Sequence, residues 1–285
     1  MDDALRGAIE ADLGARVARA VPVHGGDVAR AYAVDLDDDR RVFAKTHPSA
    51  PPGFFTTEAT GLAWLRATDA VAVPEVLAVS DDAPNRLVLE WIDEGRARST
   101  GERDLGAGLA RMHRAGAPAF GREDRRSTGS RGLPNEPCAT WSEFYASNRL
   151  WPLARLARDG GALAPSTIAD LERLAGRLDS VDTGEPPARL HGDLWAGNRL
   201  VAADGRSWLI DPAAHGGHRE FDLAMMRLFG GFGDDCFDAY VEEYPLEPGW
   251  EGRVALHQIA PLVVHAIKFG GGYVSGATAA IAQYT

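Results

Sequence analysis

The chain has 285 residues and a formal net charge of −11, enough length for one large or two modest domains around a substantial core. Hydrophobic residues make up 45% and charged residues 25%, the usual mix of a soluble globular protein. The acidic balance argues against a nucleic-acid partner, whose footprint would be a basic patch.

Cys138 and Cys236 are the only cysteines, with neither metal-ligand spacing nor a disulfide framework, so a reducing cytoplasm is the expected location. The start, Met1-Asp2-Asp3, lacks the basic and apolar segments of a signal peptide. No apolar run approaches the roughly 20 residues that span a bilayer. The longest, residues 259–267, contains His265, and no membrane partner is expected.

Leu5, Ile9, Leu13 and Val17 recur at helical spacing, which predicts a lead-in helix over residues 4–20. The period then changes to two. Tyr32, Val34 and Leu36 alternate with Ala31 and Ala33, an acidic tip follows at Asp37-Asp38-Asp39, and residues 42–45 return, which together predict a β-hairpin. Its approach through Gly25 and Gly26 reads either as a phosphate-covering turn, where glycine lets backbone N–H groups come close to anionic oxygens, or as a plain turn.

Lys45 and Lys268 are the only lysines, so a lysine at the end of this hairpin is a candidate for holding phosphate oxygens with a compact charge. Thr56 and Thr57 are expected to cap a helix that carries Ala59, Leu62, Trp64 and Leu65 on its apolar face. Glu58 would lie in its first turn as a partner for Lys45, or simply answer the helix dipole. A strand broken near its start by Pro74 leads to a second, residues 86–92, ending in Glu90-Trp91-Ile92.

Beyond residue 100 the pattern is helical. Leu105, Leu109 and Met112 mark one helix, Trp141, Phe144, Tyr145 and Leu150 a second, and Ile168, Leu171, Leu174 and Leu178 a third. Residues 121–137 form a long loop rich in Arg, Ser, Gly and Pro, of a length that is often functional. His113, on an apolar face, reads as a packed structural residue. Further helices are expected around residues 237–244, 256–269 and 277–284.

Between the third and later helices lies His191-Gly192-Asp193-Leu194-Trp195-Ala196-Gly197-Asn198. A short hairpin follows, turning at Ala203-Asp204-Gly205 and ending at Ile210-Asp211-Pro212. His191, Asp193 and Asn198 fall in the register H-x-D-x-x-x-x-N of the catalytic loop of protein-kinase-like enzymes. One carboxylate to handle a hydroxyl proton, with a carboxamide and a second carboxylate to ligate a hard cation, form the set that phosphoryl transfer requires. In the next segment His215 and His218 lack a third ligand, which makes zinc improbable. Asp222 either accepts backbone N–H bonds from the catalytic loop or caps the helix that begins there.

These motifs, with His218-Arg219-Glu220-Phe221-Asp222-Leu223-Ala224-Met225, Leu228-Phe229-Gly230-Gly231-Phe232 and Phe269-Gly270-Gly271-Gly272-Tyr273, resemble the fructosamine kinase (ketosamine kinase) family along nearly the whole chain. The resemblance implies an α+β, protein-kinase-like bilobal fold. Residues 1–92 would form an N-lobe of small antiparallel sheet with one main helix, and residues 93–285 a larger, mainly helical C-lobe. It implies ATP and Mg²⁺ as cofactors and phosphorylation of a sugar hydroxyl on a ketosamine, free or on a glycated protein.

In that reading Asp193 is the catalytic base and Asn198 and Asp211 hold Mg²⁺. Lys45, Glu58, Gly25 and Gly26 serve the phosphates, while Glu90, Trp91 and Ile92 serve the adenine. Trp195, His215 and Arg219 face the substrate, and His191 and Asp222 support the loop. Trp195 stands where protein kinases carry a lysine, so it packs against the sugar or simply fills space under the loop. The arginine-rich loop 121–137 departs from the family pattern and leaves the particular ketosamine open. An aminoglycoside- or choline-type phosphotransferase and a silent kinase-fold binding module are the alternatives.

Overall fold

Residues 1–23, 29–124 and 132–285 are described by the computed structural model. The expectations for Gly25, Gly26 and the centre of loop 121–137 fall outside them. Contacts divide the chain into two units, Met1–Gly101 with Arg199–Pro212, and Glu102–Asn198 with Ala213–Thr285. A division by sequence at residue 92 leaves out the hairpin that the first unit takes back.

In the first unit, helix α1 (Asp3–Leu13) is capped by the Asp2 side chain and stopped by Gly14 at φ 65°. It ends earlier than the periodicity suggests. Val17, which fits the helical spacing, instead opens strand β1 (Val17–Val23), where its N–H donates to Glu10 at 2.8 Å. Strands β2 (Arg30–Leu36) and β3 (Arg41–Thr46) form the expected hairpin, and β4 (Val76–Ser80) and β5 (Arg86–Glu90) complete an antiparallel sheet in the order β1-β2-β3-β5-β4.

Alternation sorts the faces of this sheet. Tyr32, Val34, Leu36, Val42, Ala44 and Val88 bury against Leu5 and Ile9 of α1. The opposite phase puts Lys45 in a cross-strand row with Ala31 and Leu87. Helix α2 (Phe54–Arg66) supplies Glu58 to it.

The α2 cap corrects the sequence reading. Its first turn is closed from a distance by Asp81, whose carboxylate accepts the N–H groups of Phe55 at 2.9 Å and Thr56 at 3.3 Å. Thr57 bonds back to the Gly53 carbonyl.

In the second unit α3 (Gly101–Arg114) is followed by α4 (Trp141–Tyr145), a π-helical turn at Ala146–Leu150, and α5 (Trp151–Asp159). Sequence periodicity alone suggests one helix over the first part of this run. The π turn swings Asn148 and Arg149 inward to hold the loop before α4. Arg149 donates to Pro134 O at 2.6 Å and Asn135 Oδ1 at 2.7 Å, and Asn148 accepts from Glu136 N at 2.8 Å.

Helices α6 (Pro165–Ala175), α7 (Glu220–Phe229), α8 (Asp234–Glu243), α9 (Trp250–Phe269) and α10 (Gly272–Ala282) follow in chain order. Leu150, Leu153, Leu171, Leu256, Ile259, Val263 and Ile281 are among the residues that close the main core of this unit. Strand β6 (Ala188–Leu190) pairs with β9 (His215–Gly217). The hairpin of β7 (Arg199–Val201) and β8 (Ser207–Leu209) belongs to the first unit. Among the described residues no helix is long and apolar enough to cross a membrane.

Candidate active site

In the first unit a charged triad forms around Lys45. Its ammonium bonds Glu58 Oε1 at 2.7 Å and also Asp211, 166 residues away in sequence. The Lys45 side chain is 7% exposed and that of Asp211 33%. Burial alone would pull the lysine pKa down, but the attraction of Glu58 and Asp211 outweighs it and lifts the value to about 12. Glu58 is pushed up, by burial first and by repulsion from Asp211, against the pull of Lys45.

Asp211 has φ 52°, a left-handed conformation that β-branched and bulky residues avoid and Asp tolerates. The positive φ comes right after the β8 strand and turns the chain sharply at the point where the carboxylate meets Lys45. Glu90 ends β5 opposite Val42, and its carboxylate takes the Glu75 N–H at 3.0 Å and Arg66 at 3.3 Å. Trp91 lies under the Arg41 guanidinium, 4.4 Å from its ring centre, and its indole N–H donates to Asp93 at 2.8 Å. Ile92 follows in the same extended segment.

In the second unit the loop that carries Asp193 is held by its backbone. Asp222, fully buried in the first turn of α7, accepts the N–H of His191 at 2.8 Å and of Gly192 at 2.9 Å. His113 Nε2 lies 3.1 Å from the same carboxylate, and its Nδ1 lies 2.7 Å from the Tyr240 hydroxyl. Burial opposes ionisation of Asp222, but the bonds from His113 and the loop win and hold its pKa below the usual range. His113, expected to be a plain packing residue, is therefore a polar partner of Asp222. That partnership spans 109 residues and has no local signal.

Gly192 sits at φ 81°, and a Cβ there would fall 2.2 Å from the Ala213 carbonyl oxygen, so only glycine fits. The Asn198 amide donates to Asp193 O at 2.8 Å and to Asp193 Oδ2 at 3.2 Å. This orients the carboxylate and makes Oδ1 the oxygen that Asn198 can present to a cation. Trp195 is 42% exposed, and its ring lies over Gly197, where a Cβ would come within 2.3 Å of it.

Two residues expected on the substrate side are interior. The Arg219 guanidinium is held by Glu185 at 2.6 and 2.7 Å and by the carbonyls of Tyr244 and Pro245 at 2.9 and 2.7 Å, stacked 3.7 Å from the Tyr244 ring centre. It clamps the start of α7 instead of facing a ligand. His215 is buried behind Gly192, with Nδ1 bonded to Ala213 O at 2.8 Å, and burial with the nearby Arg149 drives its pKa down to about 3.

A buried cluster escaped the sequence reading. His218, Glu220 and His257 bring potential ligand atoms within 4.8 Å of one another, so His218 does gain companions from far along the chain. Both Glu220 oxygens are already taken by Arg253, at 2.5 and 2.9 Å. The charge chemistry there is that of an ion-paired knot, not an open cation site.

The fold is that of protein-kinase-like phosphotransferases. A streptomycin–ATP complex of the phosphotransferase APH(2'')-IIa superposes with a TM-score of 0.68 at 12% identity, over 99% of this chain and 96% of that one. A crystal structure assigned to a fructosamine-3-kinase of Thermobifida fusca gives a TM-score of 0.91 at 38% identity, over 100% of this chain and 99% of its own. An Enterococcus faecium protein named as a probable ketoamine kinase is 35% identical over 258 residues, 90% of this chain and 91% of that protein. The description of the fructosamine kinase family matches residues 1–285. The chain belongs to the fructosamine kinase family and is a phosphotransferase.

Proposed function

We propose that this protein transfers the γ-phosphoryl group of ATP to a sugar hydroxyl of a ketosamine, with Asp193 as the base. The observation that carries the reading is the pairing of Lys45 with Glu58 and Asp211. A buried ammonium paired with two carboxylates adds little net stability, and a lysine fixed in this way is the group that kinase-type phosphoryl transfer uses to hold nucleotide phosphates. Family membership supplies the substrate class, and an ATP complex among the fold neighbours supports the nucleotide.

In this reading Lys45, set in place by Glu58, engages the nucleotide phosphates, and the segment Glu90-Trp91-Ile92 lies along the adenine. Asp193, oriented by the Asn198 amide, accepts or directs the proton of the attacking hydroxyl. Trp195 offers an aromatic face to the sugar. Asp211 and Asn198 each carry an oxygen donor of the hard kind that would hold Mg²⁺. That ion, when bound, neutralises charge on the transferring phosphoryl group. His191 and Asp222 hold the loop that presents Asp193.

The test is a phosphorylation panel with Mg·ATP. Fructosamine and ribulosamine adducts should be turned over and aminoglycosides and choline should not. Product from the aminoglycosides alone would move the assignment to that class, and turnover unchanged in Asp193→Asn would leave a binding module.

A further inference from the structure

From Trp195, beside the catalytic loop, runs a strip of aromatic rings whose members beyond Trp195 have no use in the reaction as described. Trp195 meets Phe229 edge-on at 6.4 Å between ring centres, and Phe229 meets His265 at 5.0 Å. His265 in turn contacts Tyr273 at 4.9 Å and Phe269 at 5.6 Å. Trp195 at 42% and Phe269 at 58% exposure stand at its two ends, two of the five large hydrophobic side chains exposed among the described residues. Phe229, His265 and Tyr273 between them are half-buried, and apolar side chains that run together in this way mark a binding face more often than ones scattered singly.

The strip is fixed to the loop that carries Asp193. Gly231, two residues after Phe229, sits at φ 89°, and a Cβ on it would lie 2.3 Å from that of Ala196, so the segment after α7 packs directly on the residue after Trp195. His265 Nδ1 is bonded to the Pro261 carbonyl at 2.8 Å, which fixes the ring in the middle of the strip. At the outer end the Lys268 ammonium sits 5.3 Å from the centre of the Phe269 ring.

We propose that this strip is the subsite for the amine-borne half of the ketosamine, and that it selects adducts whose amine carries an apolar or aromatic body. The inference rests on the ketosamine reading given above. A ketosamine nitrogen is a secondary amine, protonated near neutral pH and only a few bonds from the sugar hydroxyls. With the sugar at Asp193, the ammonium falls near Trp195 and Phe229, whose ring faces attract a cation. Lys268 repels a second positive charge at the far end, so the body attached to nitrogen runs outward over Tyr273 and Phe269 with its charge kept inward.

The test compares adducts of one sugar with methylamine and with benzylamine. The wild type should favour the benzylamine adduct in kcat/KM on the order of tenfold, carried by KM. Phe269→Ala, a change at an exposed position, and Tyr273→Leu, which keeps bulk, should each bring that ratio down toward one through KM while kcat holds.

A wild type that phosphorylates neither adduct overturns the ketosamine reading and this inference with it. A wild type active on both, whose ratio the two variants leave unmoved, overturns the inference alone. A Phe269→Ala protein that changes oligomeric state by sedimentation while keeping the ratio makes the strip a contact between copies of this chain, and also overturns it.

Discussion

Replacing Asp222 tests how the loop that carries Asp193 is held. Its carboxylate is fully buried and accepts two backbone N–H groups while also facing His113. Each bond to a buried charged acceptor contributes about 1.5–3 kcal/mol, and such bonds do not add within one network. Breaking a buried charge pair by removing one partner costs about 3–5 kcal/mol, so about 4 kcal/mol is expected for Asp222→Ala. Unfolding entropy of about 2.1 cal/mol/K per residue over 285 residues makes that a fall of about 7 °C in melting temperature.

Asp222→Asn keeps one acceptor oxygen but turns an NH₂ toward an N–H donor, so about half of that loss is expected. Released from its anchor, the loop should misplace Asp193, and a displacement of about 1 Å is enough for a hundredfold loss in kcat. The Lys45 triad lies in the other unit, so nucleotide affinity measured well below the melting point should hold. Calorimetry and steady-state kinetics on Asp222→Asn decide the matter. Melting within about 1 °C of wild type together with kcat within about threefold would refute the anchoring argument.

Asp193→Asn should lower kcat by about a hundredfold or more while the protein still binds nucleotide, read by equilibrium titration. Asp211→Ala should weaken nucleotide affinity and shift the Mg²⁺ dependence of turnover to higher concentration, and an unmoved Mg²⁺ profile would contradict its role as a ligand. Lys45→Met should lower turnover on the order of a hundredfold, with the loss appearing in kcat/KM for ATP. His218, whose pKa is lowered to about 3 by burial and then by His257, contributes stability that is complete above its ordinary value and is lost as pH falls from 6.5 toward 3. Below pH 6.5 that single group should cost about 1.4 kcal/mol per pH unit, read as the urea midpoint at pH 7.5 against 5.5. Stability flat across that range would exclude the cluster as the acid-sensitive element.

What the sequence discloses is what local periodicity and spacing encode. The hairpin ending in Lys45 is legible because Tyr32, Val34 and Leu36 alternate against alanines, and the β7–β8 turn because Ala203-Asp204-Gly205 divides two short apolar runs. The period misleads where one residue satisfies two patterns. Val17 is in phase with Leu5, Ile9 and Leu13, yet also with Val21 and Val23, and the Gly14 stop decides for the strand.

Partners from distant segments leave no local trace. Asp81 capping α2, Glu185 clamping Arg219 and His113 beneath Asp222 each come from another stretch of chain. The two arginine and histidine positions expected to face a substrate illustrate the converse. A polar residue next to a catalytic motif reads as a ligand contact until a buried carboxylate or carbonyl is seen to use up its donors.

The loop of residues 191–198 shows why its motif stands out so clearly. Its anchors are main-chain groups and buried side chains: the N–H of His191 and Gly192 on Asp222, with His191, Leu194 and Asn198 buried. Between them Asp193 is half-buried and Trp195 exposed. Because the main hold is on the backbone, the side chains at 193 and 195 make only local contacts, Asp193 with the Asn198 amide and Trp195 with Gly197 and Phe229, and both keep surface open to solvent. Gly192 is dictated by geometry, since nothing with a Cβ can lie against the Ala213 carbonyl. A loop built this way tolerates a change of substrate through position 195 and the aromatic residues beyond it while Asp193 stays where it is, so variants at 195 and 269 should alter which amine is accepted before they alter whether a phosphoryl group moves.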